Sequence, residues 1–327
     1  MNAQKKVFIC TMLIIVLVLV FMLSRYFVPP KDNVEASYQP DSTYRFVCIY
    51  SGSSDYYKYS LKEGLDKAAE ELNAWVKFYK FKSFEVDKHC EALDKAIAAK
   101  VDGIITNIPS NDAIRSYIEA AHDNNIPVIT IESDLPDSKR ISFVGTNSYA
   151  FGVEAGKLMS SATGGKSKTA IFRNIDGSRF NLKNQGFQNN IRNNPGMSYE
   201  LFLAEEPSII GYTNTAQSIF VNSPQIDSFF CSDTESTLGV VRAMIEFNKT
   251  NNVVIGSGDS KEILKYIKNG IIYASLVEDP YLIGYLSIGN LLKYKKGESI
   301  SECVNPDIII LSKENIDSVL SARKDKE

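Results

Sequence analysis

The sequence predicts an α/β protein with two doubly wound parallel-sheet lobes, preceded by one transmembrane helix. First, short apolar runs after residue 44 alternate with amphipathic helical patterns, which is typical of a parallel sheet covered on both faces. Second, this alternation occurs twice, and a chain of 327 residues is long enough for two hydrophobic cores. Third, a long apolar run lies within the first 28 residues.

The composition argues against nucleic acid, metal ions and cofactors. The chain has 36 Lys and Arg against 39 Asp and Glu, so its net charge of −3 offers no basic field for phosphate backbones. Its five cysteines show no CxxC spacing, and we expect them to be small buried hydrophobes. The two histidines, His89 and His122, have no ligand-spaced partners and are assigned to solvated helix ends.

The N-terminal apolar run predicts an uncleaved membrane anchor. Residues 7–23 read VFICTMLIIVLVLVFML after two lysines, which is nearly enough for one crossing. A cleaved signal peptide is the alternative, but the run exceeds a signal core of about 7 to 15 residues and lacks a following A-x-A pattern. Lysines before the span place the N-terminus in the cytoplasm. The expected location is therefore the cell membrane, with the C-terminal domain extracytoplasmic.

The first lobe follows a short stalk. Residues 1–28 form the cytoplasmic start and the anchor, and the proline-containing polar segment 29–44 forms the stalk. Hydrophobic periodicity then predicts the elements of one lobe. The predicted strands are 45–50, 76–81, 101–106 and 127–131, and the predicted helices are 58–73, 89–100 and 113–124.

The second half repeats the order of elements. The predicted strands are 168–174, 197–204, 226–232, 251–258 and 271–277, and the predicted helices are 184–193, 213–220, 235–247, 261–268 and 280–294. The last helix is expected to bury Leu282, Leu286 and Leu292. Between the halves, residues 127–156 carry the chain across, and Gly145 is expected to supply backbone freedom there.

The loops that leave the carboxyl ends of the strands are rich in Asp, Glu, Asn and Ser. In open parallel sheets ligands bind at that edge. Carboxylates and amides exchange hydrogen bonds with hydroxyls, and an aromatic ring packs on the apolar face of a pyranose. The sequence has no Gly-rich phosphate loop and no clustered arginines there. A polyol such as a sugar is therefore the expected ligand.

Two segments, SDLPDSKR…VGTNSYAFG and EDPYLIGY, carry a specific resemblance, supported by CSDTESTLGVVRAM and VDGIITNIPS. Over about residues 45–311 the chain resembles the periplasmic sugar-binding proteins of the ribose and xylose type. The resemblance implies two lobes that are joined by three crossovers and close on a sugar without catalysis. The predicted lobes are 45–145 plus 279–307 for the N-terminal lobe and 146–278 plus 308–327 for the C-terminal lobe.

The resemblance also implies the ligand contacts. In such proteins the first loop carries a polar residue and stacking aromatics, and the loop after the fourth strand carries an Asp–Arg pair. Here Ser133 stands where that arginine is usual and Asn181 replaces a second one, so a more acidic pocket is expected. Arg173 or Arg179 could compensate, although a surface position is favoured for each. The predicted ligand-binding residues are Asp55, Tyr56, Tyr57, Glu132, Asp134, Asn181, Asp233, Asp259 and Glu278.

Most of these candidates also have a structural alternative. The two tyrosines could pack at the loop edge. Asp134 could shape the turn before the next proline. Asp233 and Asp259 could each cap a following helix. Glu278 could lie in a surface turn.

The expected function is therefore a membrane-tethered receptor for a monosaccharide, with a pentose such as xylose favoured. The architecture resembles xylose receptors that partner a sensor histidine kinase, so closure on the sugar would signal to such a kinase. The alternative is the solute receptor of an ABC-type importer, whose partner is a permease. An enzyme is disfavoured because no Ser-His-Asp or metal pattern occurs.

Overall fold

A computed structural model describes residues 44–52, 55–82, 85–108, 111–173, 178–204 and 206–324. The predicted anchor and nearly all of the stalk lie outside these residues. Within the described part of the chain, no helix is both long enough and apolar enough to cross a membrane.

The first sheet has six strands in the order β11-β5-β4-β3-β1-β2, and all of its neighbours pair in parallel. Its strands are β1 (Tyr44–Ser51), β2 (Ala74–Phe81), β3 (Gly103–Thr106), β4 (Val128–Ile131), β5 (Ser142–Val144) and β11 (Cys303–Val304). Side chains of β1 alternate between two buried clusters, so Phe46 and Cys48 pack on one face and Val47 and Ile49 on the other. Burial on both faces explains the continuous apolar runs.

The second sheet has the order β12-β10-β9-β8-β6-β7. Its strands are β6 (Ser167–Arg173), β7 (Met197–Leu203), β8 (Ser228–Phe230), β9 (Val253–Ser257), β10 (Ala274–Val277) and β12 (Ile309–Ser312). Its neighbours pair in parallel except β12, which runs antiparallel to β10. The expected parallel sheet therefore carries one antiparallel edge strand, and each sheet is covered by helices on both faces.

The helices connect successive strands. They are α1 (Asp55–Glu71), α2 (Val86–Ala98), α3 (Asn111–Asp123), α4 (Ser148–Thr163), α5 (Ser178–Ile191), α6 (Ile209–Asn222), α7 (Thr234–Glu246), α8 (Lys261–Lys268), α9 (Pro280–Lys295) and α10 (Ile316–Lys324). Several begin earlier than the apolar pattern predicts. For α6 the cause is Ser208, whose side chain accepts a hydrogen bond from the Gly211 amide at 3.1 Å and caps the helix.

Helix α9 returns to the first lobe and packs closely against α1. A Cβ at Gly284 would lie 2.4 Å from the Leu61 carbonyl oxygen, so only glycine allows this approach. This contact rotates α9 relative to the expected orientation. As a consequence, Leu282 and Leu286 are only half-buried. The prediction that these two leucines are buried was wrong. Leu292 is buried as predicted, together with Ile283, Ile288 and Leu291.

The cysteines differ from one another in burial. Cys48 and Cys231 are buried as predicted, and Cys90 is half-buried. Cys303 is exposed on the edge strand β11, which corrects the expectation that it is a buried hydrophobe. All four have free thiols, and Cys10 lies outside the described residues.

Candidate functional site

The carboxyl ends of β5 and β10 lead directly into the segments that pass between the lobes. After Val144, residues 145–147 lead to α4 of the second lobe, and after Val277, residues 278–279 lead to α9 of the first lobe. Because each residue spans at most about 3.6 Å, these segments keep the carboxyl edges of both sheets close to the crossings. Ligands of doubly wound sheets bind at this edge. The candidate site is therefore built from the loops around these crossings.

Glu132 follows β4 in a left-handed backbone conformation, with φ of 64°. Its side chain accepts a hydrogen bond from the Asn107 amide, Nδ2 to Oε2, at 3.3 Å. A non-glycine residue in this region is strained, and such strain is concentrated at functional sites. The structure therefore holds the carboxylate of Glu132 at the edge of the first sheet at a conformational cost.

Gly145 lies beside Glu132, at the first crossing. Its φ is not positive, so the expected need for unusual backbone freedom was wrong. A Cβ there would lie 2.5 Å from the Phe143 ring and 3.1 Å from the Glu132 amide nitrogen. A larger residue at this position would have to displace the Phe143 ring and move the backbone away from the strained loop.

His89 lies beneath this loop and is fully buried, which corrects its assignment to a solvated helix end. Thr106 Oγ1 donates to the Asn107 carbonyl, so the His89 Nε2 proton is donated to Thr106 Oγ1 at 2.7 Å. His89 Nδ1 then accepts from Ser51 Oγ, also at 2.7 Å. Burial lowers the pKa of His89 to about 4, so the imidazole is neutral at pH 7.

Asn107 connects this buried pair to the ligand loop. Its Nδ2 donates to the Ser51 carbonyl at 2.7 Å, and its Oδ1 accepts from the Ser51 amide at 2.9 Å. The side-chain amide of Asn107 also donates to Glu132. A continuous polar network therefore runs from His89 through Ser51 and Asn107 to the edge of the sheet.

Asp134 is held by its own lobe. It accepts hydrogen bonds from Thr130 Oγ1 at 2.9 Å, from the Leu135 amide at 2.8 Å and from Arg140 Nη2 at 2.7 Å. Arg140 Nε completes a two-point ion pair, and the guanidinium also reaches the Glu302 carbonyl at 3.2 Å. These contacts favour the alternative that Asp134 shapes its loop.

The aromatic residues of the first loop lie at the start of α1. Tyr57 is half-buried and stacks on Tyr50, with ring centroids 5.3 Å apart and planes 15° apart. This contact favours a packing role for Tyr57. The side chains of Asp55 and Tyr56 lie outside the described part of the structure, so their predicted ligand contacts stay predictions.

Glu278 forms a buried ion pair, which excludes the surface-turn alternative. Its Oε1 accepts from Lys183 Nζ at 2.9 Å, and the two side chains are 10% and 2% exposed, respectively. Lys183 Nζ also donates to the Ser232 carbonyl at 3.3 Å and lies 4.0 Å from the centroid of the Phe151 ring. This cluster lies where β10 passes into the second crossing.

The other carboxylates of the second lobe differ in role. Asp233 caps α7 by accepting from the Ser236 amide at 2.6 Å, as its structural alternative predicted, and Tyr212 Oη lies 3.5 Å from it. Burial and, to a smaller extent, the charge of Asp233 raise the pKa of Tyr212. Asp259 is buried after β9 and does not cap α8, because Ser260 does. Asn181 is exposed in the first turn of α5.

Two cations that the sequence reasoning missed change the charge of the site. Arg140 and Lys183 each neutralise one predicted carboxylate, so the site is less acidic than expected. The side chains of Arg173 and Arg179, the alternative compensating cations, lie outside the described part of the structure. The only sequence signal for Arg140 is its place at the end of the SDLPDSKR motif.

Two further polar side chains near the crossings were also missed. Thr146 Oγ1 and Asn184 Oδ1 are buried and have no hydrogen-bond partner in the described part of the chain. Thr146 lies in the first crossing, and Asn184 follows Lys183 and donates to the Phe172 carbonyl at 2.9 Å. Buried polar atoms of this kind are satisfied by water or by a ligand.

Comparison with protein families gives one match that covers most of the chain. A family model for the periplasmic binding protein domain matches residues 46–299. Among curated proteins, the ribose import binding protein RbsB of Haemophilus influenzae is 23% identical over 258 residues, which cover 77% of this chain and 86% of that protein. A xylitol-binding protein of Mycolicibacterium smegmatis is 22% identical and is matched over 74% of its length and 78% of this chain.

Solved structures share the fold. GanP, a glucose-galactose binding protein from Geobacillus stearothermophilus, superposes with a TM-score of 0.78 and 26% identity over 84% of this chain and 98% of that chain. A chain of a XylFII-LytSN complex gives a TM-score of 0.75 and 25% identity over 83% of this chain and 98% of that chain. These two solved chains are thus matched over nearly their whole length.

Proposed function

The chain belongs to the periplasmic binding protein domain family, and from that membership we propose that it is a membrane-tethered extracytoplasmic receptor for a monosaccharide. The observation that carries the proposal is the set of polar and charged side chains at the carboxyl ends of both sheets, beside the crossings. Of the predicted ligand residues, Glu132 and Glu278 directly follow β4 and β10, and Asp259 follows β9 after one intervening residue. The carboxylate oxygens of these three residues can accept hydrogen bonds from sugar hydroxyls.

The named relatives support a sugar as the ligand. They include ribose import, glucose-galactose and xylitol-binding proteins. Within this class we favour a pentose such as xylose, as the sequence resemblance indicates. No catalytic step is part of the proposal, because binding followed by lobe closure is enough for a receptor.

The predicted anchor supports a partner in the same membrane. A tethered receptor cannot diffuse, but it can lie beside a membrane sensor kinase and present its closed form to it. The similar XylFII chain is solved in complex with LytSN, which is a precedent for a protein partner on this fold. The sugar changes the affinity for such a partner only if the partner contacts the open and closed forms differently.

A thermal-shift screen of the full-length chain in detergent tests the sugar proposal. The panel is D-xylose, D-ribose, L-arabinose, D-glucose, D-galactose, xylitol and myo-inositol. A ligand at one hundred times its dissociation constant should add about 2.7 kcal/mol to the free energy of unfolding. Asp259→Asn should abolish the shift, whereas the matched change Asp317→Asn on the exposed helix α10 should keep it. No shift with any sugar would rule out the proposal.

The alternative is the solute receptor of an ABC-type importer, which the ribose import relatives favour. Adding the purified ectodomain of a candidate sensor kinase separates the two. In the kinase case the sugar affinity must change on its addition, by the same factor by which the sugar changes the affinity for the kinase. An unchanged sugar affinity, together with binding to a permease, would favour the importer.

A further inference from the structure

The buried lysine of the second lobe joins four parts of the fold at one point. Lys183 extends from α5, its ammonium lies over the ring of Phe151 of α4, and it donates to the Ser232 carbonyl after β8. Its ion pair with Glu278 reaches the segment after β10. Moving both charges out of water costs several kcal/mol per ion, and good geometry with further hydrogen bonds offsets that cost. Here the ammonium contacts the Ser232 carbonyl, the Glu278 carboxylate and the Phe151 ring.

Two close-packed glycines set the position of Lys183. Helices α4 and α5 approach so closely that a Cβ at Gly152 would lie 1.8 Å from the Lys183 carbonyl oxygen. On the facing helix, a Cβ at Gly186 would lie 2.1 Å from the Tyr149 carbonyl oxygen. The lysine backbone is therefore held against α4, and its side chain extends along the Phe151 ring toward the crossing.

Glu278 and its neighbour Asp279 are anchored to different lobes. Lys183, Ser232 and Phe151 all belong to the second lobe, so Glu278 is fixed to that lobe. Asp279 instead caps α9 of the first lobe by accepting from the Leu282 amide at 3.0 Å. The chain therefore changes lobes between these two carboxylates.

The charge of Glu278 determines which ligand groups it can bind. An ionised carboxylate only accepts hydrogen bonds, and the Glu278 carboxylate accepts one from Lys183. A glutamine in the same place would also donate, and could bind a ring oxygen or a carbonyl. A fixed carboxylate at the crossing therefore selects a ligand that presents a hydroxyl donor there.

On the basis of the proposed sugar-binding function, we propose that Lys183 is a positioning residue that fixes the Glu278 carboxylate as an acceptor for one ligand hydroxyl. Lys183 acts through Glu278 and sets the preference for a hydroxyl at that position of the sugar. Its role toward the ligand is thus separate from that of Glu132 or Asp259, which lie on other loops.

A double-mutant cycle on the full-length chain tests this role. The sugar of the panel above that binds most tightly is titrated into wild type, Lys183→Met, Glu278→Gln and the double variant. Each single change should weaken binding at least tenfold, and the double variant should bind no more weakly than the weaker single variant. Lys183→Arg should recover most of the affinity. The control Lys268→Met, in an exposed ion pair with Asp317, should bind within twofold of wild type.

A specificity measurement separates positioning from a merely structural role. The monodeoxy analogues of the bound sugar are titrated in turn. The analogue that lacks the hydroxyl bound by Glu278 should lose the most affinity for wild type relative to the parent sugar. This loss of affinity should disappear in Lys183→Met and in Glu278→Gln. If Lys183→Met does not fold, the double variant, which contains no unpaired buried charge, replaces it and should bind like Glu278→Gln.

Three results would overturn the inference. One is a folded Lys183→Met variant that binds sugar as wild type does. The second is a double variant whose loss equals the product of the two single losses. The third is a deoxy penalty that persists in both single variants. A wild-type chain that binds no sugar is a different result, because it refutes the proposed function and removes the basis of the inference with it.

Discussion

The buried histidine beneath the ligand loop should make the protein sensitive to mild acid. His89 accepts a hydrogen bond from Ser51 through Nδ1 and donates to Thr106 through Nε2. A proton on Nδ1 would remove that acceptor and place a charge in a buried site. We therefore expect His89 of the folded chain to become protonated only when the pH is well below the ordinary pKa of histidine.

The size of the effect follows from the two pKa values. Burial lowers the pKa of His89 from 6.5 to about 4 in the folded chain, while the unfolded chain keeps the ordinary value. Above pH 6.5 both states are neutral and the stability is complete. As the pH falls toward 4 only the unfolded state gains a proton, so the free energy of unfolding drops by about 1.4 kcal/mol per pH unit. The total loss is about 3 kcal/mol, a large part of a typical stability of about 5 to 15 kcal/mol.

Urea denaturation followed by circular dichroism, at pH values from 7.5 to 4.5, measures this slope. His89→Gln should flatten it, whatever that change does to the absolute stability. His122→Gln is the matched control, because the His122 side chain is 55% exposed. Carboxylates whose pKa is lowered in the folded chain interfere little in this window. A hydrogen bond from Tyr285 lowers the pKa of Glu71, so its stabilising effect is present above the ordinary value of 4.5 and is lost only below it.

An unchanged slope in His89→Gln would refute the reasoning, since no titration of residue 89 would then remain to explain it. A slope that flattens in His122→Gln instead would place the titrating group on the surface.

Two further predictions concern backbone geometry at the site. Gly152→Ala should lower the free energy of unfolding by about 1 to 3 kcal/mol and weaken sugar binding, because its Cβ would collide with the Lys183 carbonyl. The control is Gly289→Ala, whose new Cβ has no atom within 4 Å. This change should raise the free energy of unfolding by about 0.5 to 1 kcal/mol. Glu132→Gly should raise the stability by up to about 1 kcal/mol by relieving a φ of 64°, while sugar affinity measured by calorimetry falls at least tenfold. Lys100→Gly, at a φ of 49°, should stabilise without that loss, and equal affinities in both variants would contradict the assignment of Glu132.

The order of strands and helices was accessible from the sequence because each element carries a local periodic signal. Helix α8 has the predicted bounds, since four apolar positions repeat at helical spacing and Ser260 supplies a cap directly before them. The predicted start of α6 is too late because its first turn contains no charged residue that would mark an exposed helix face. Ser208, a residue type that often caps helices, was nevertheless visible in the sequence. The orientation of α9 depends on the facing helix, which no local pattern describes.

The candidate site was less accessible, because its decisive contacts join residues that are far apart in the chain. Lys183 and Glu278 are separated by 95 positions, and nothing in the spacing of either residue indicates the other. The left-handed conformation of Glu132 is equally hidden, since glutamate is not a residue that usually adopts it. Asp134 illustrates the opposite case, because its partner Arg140 lies six residues away and a loop contact between them was open to prediction.

The two missed cations have a common consequence for how the site is understood. At the sequence level, Ser133 and Asn181 stand where arginines are usual, and the remaining carboxylates predict an acidic pocket. In the structure Arg140 and Lys183 come from other positions and each meets one carboxylate at 2.9 Å or less. An unpaired buried carboxylate is costly, so the loss of a cation at one position favours a cation elsewhere that can reach the same space. The charge balance of this site therefore depends on ion pairs that form only in the folded chain. Because these pairs neutralise two of the carboxylates, a neutral sugar remains a suitable ligand.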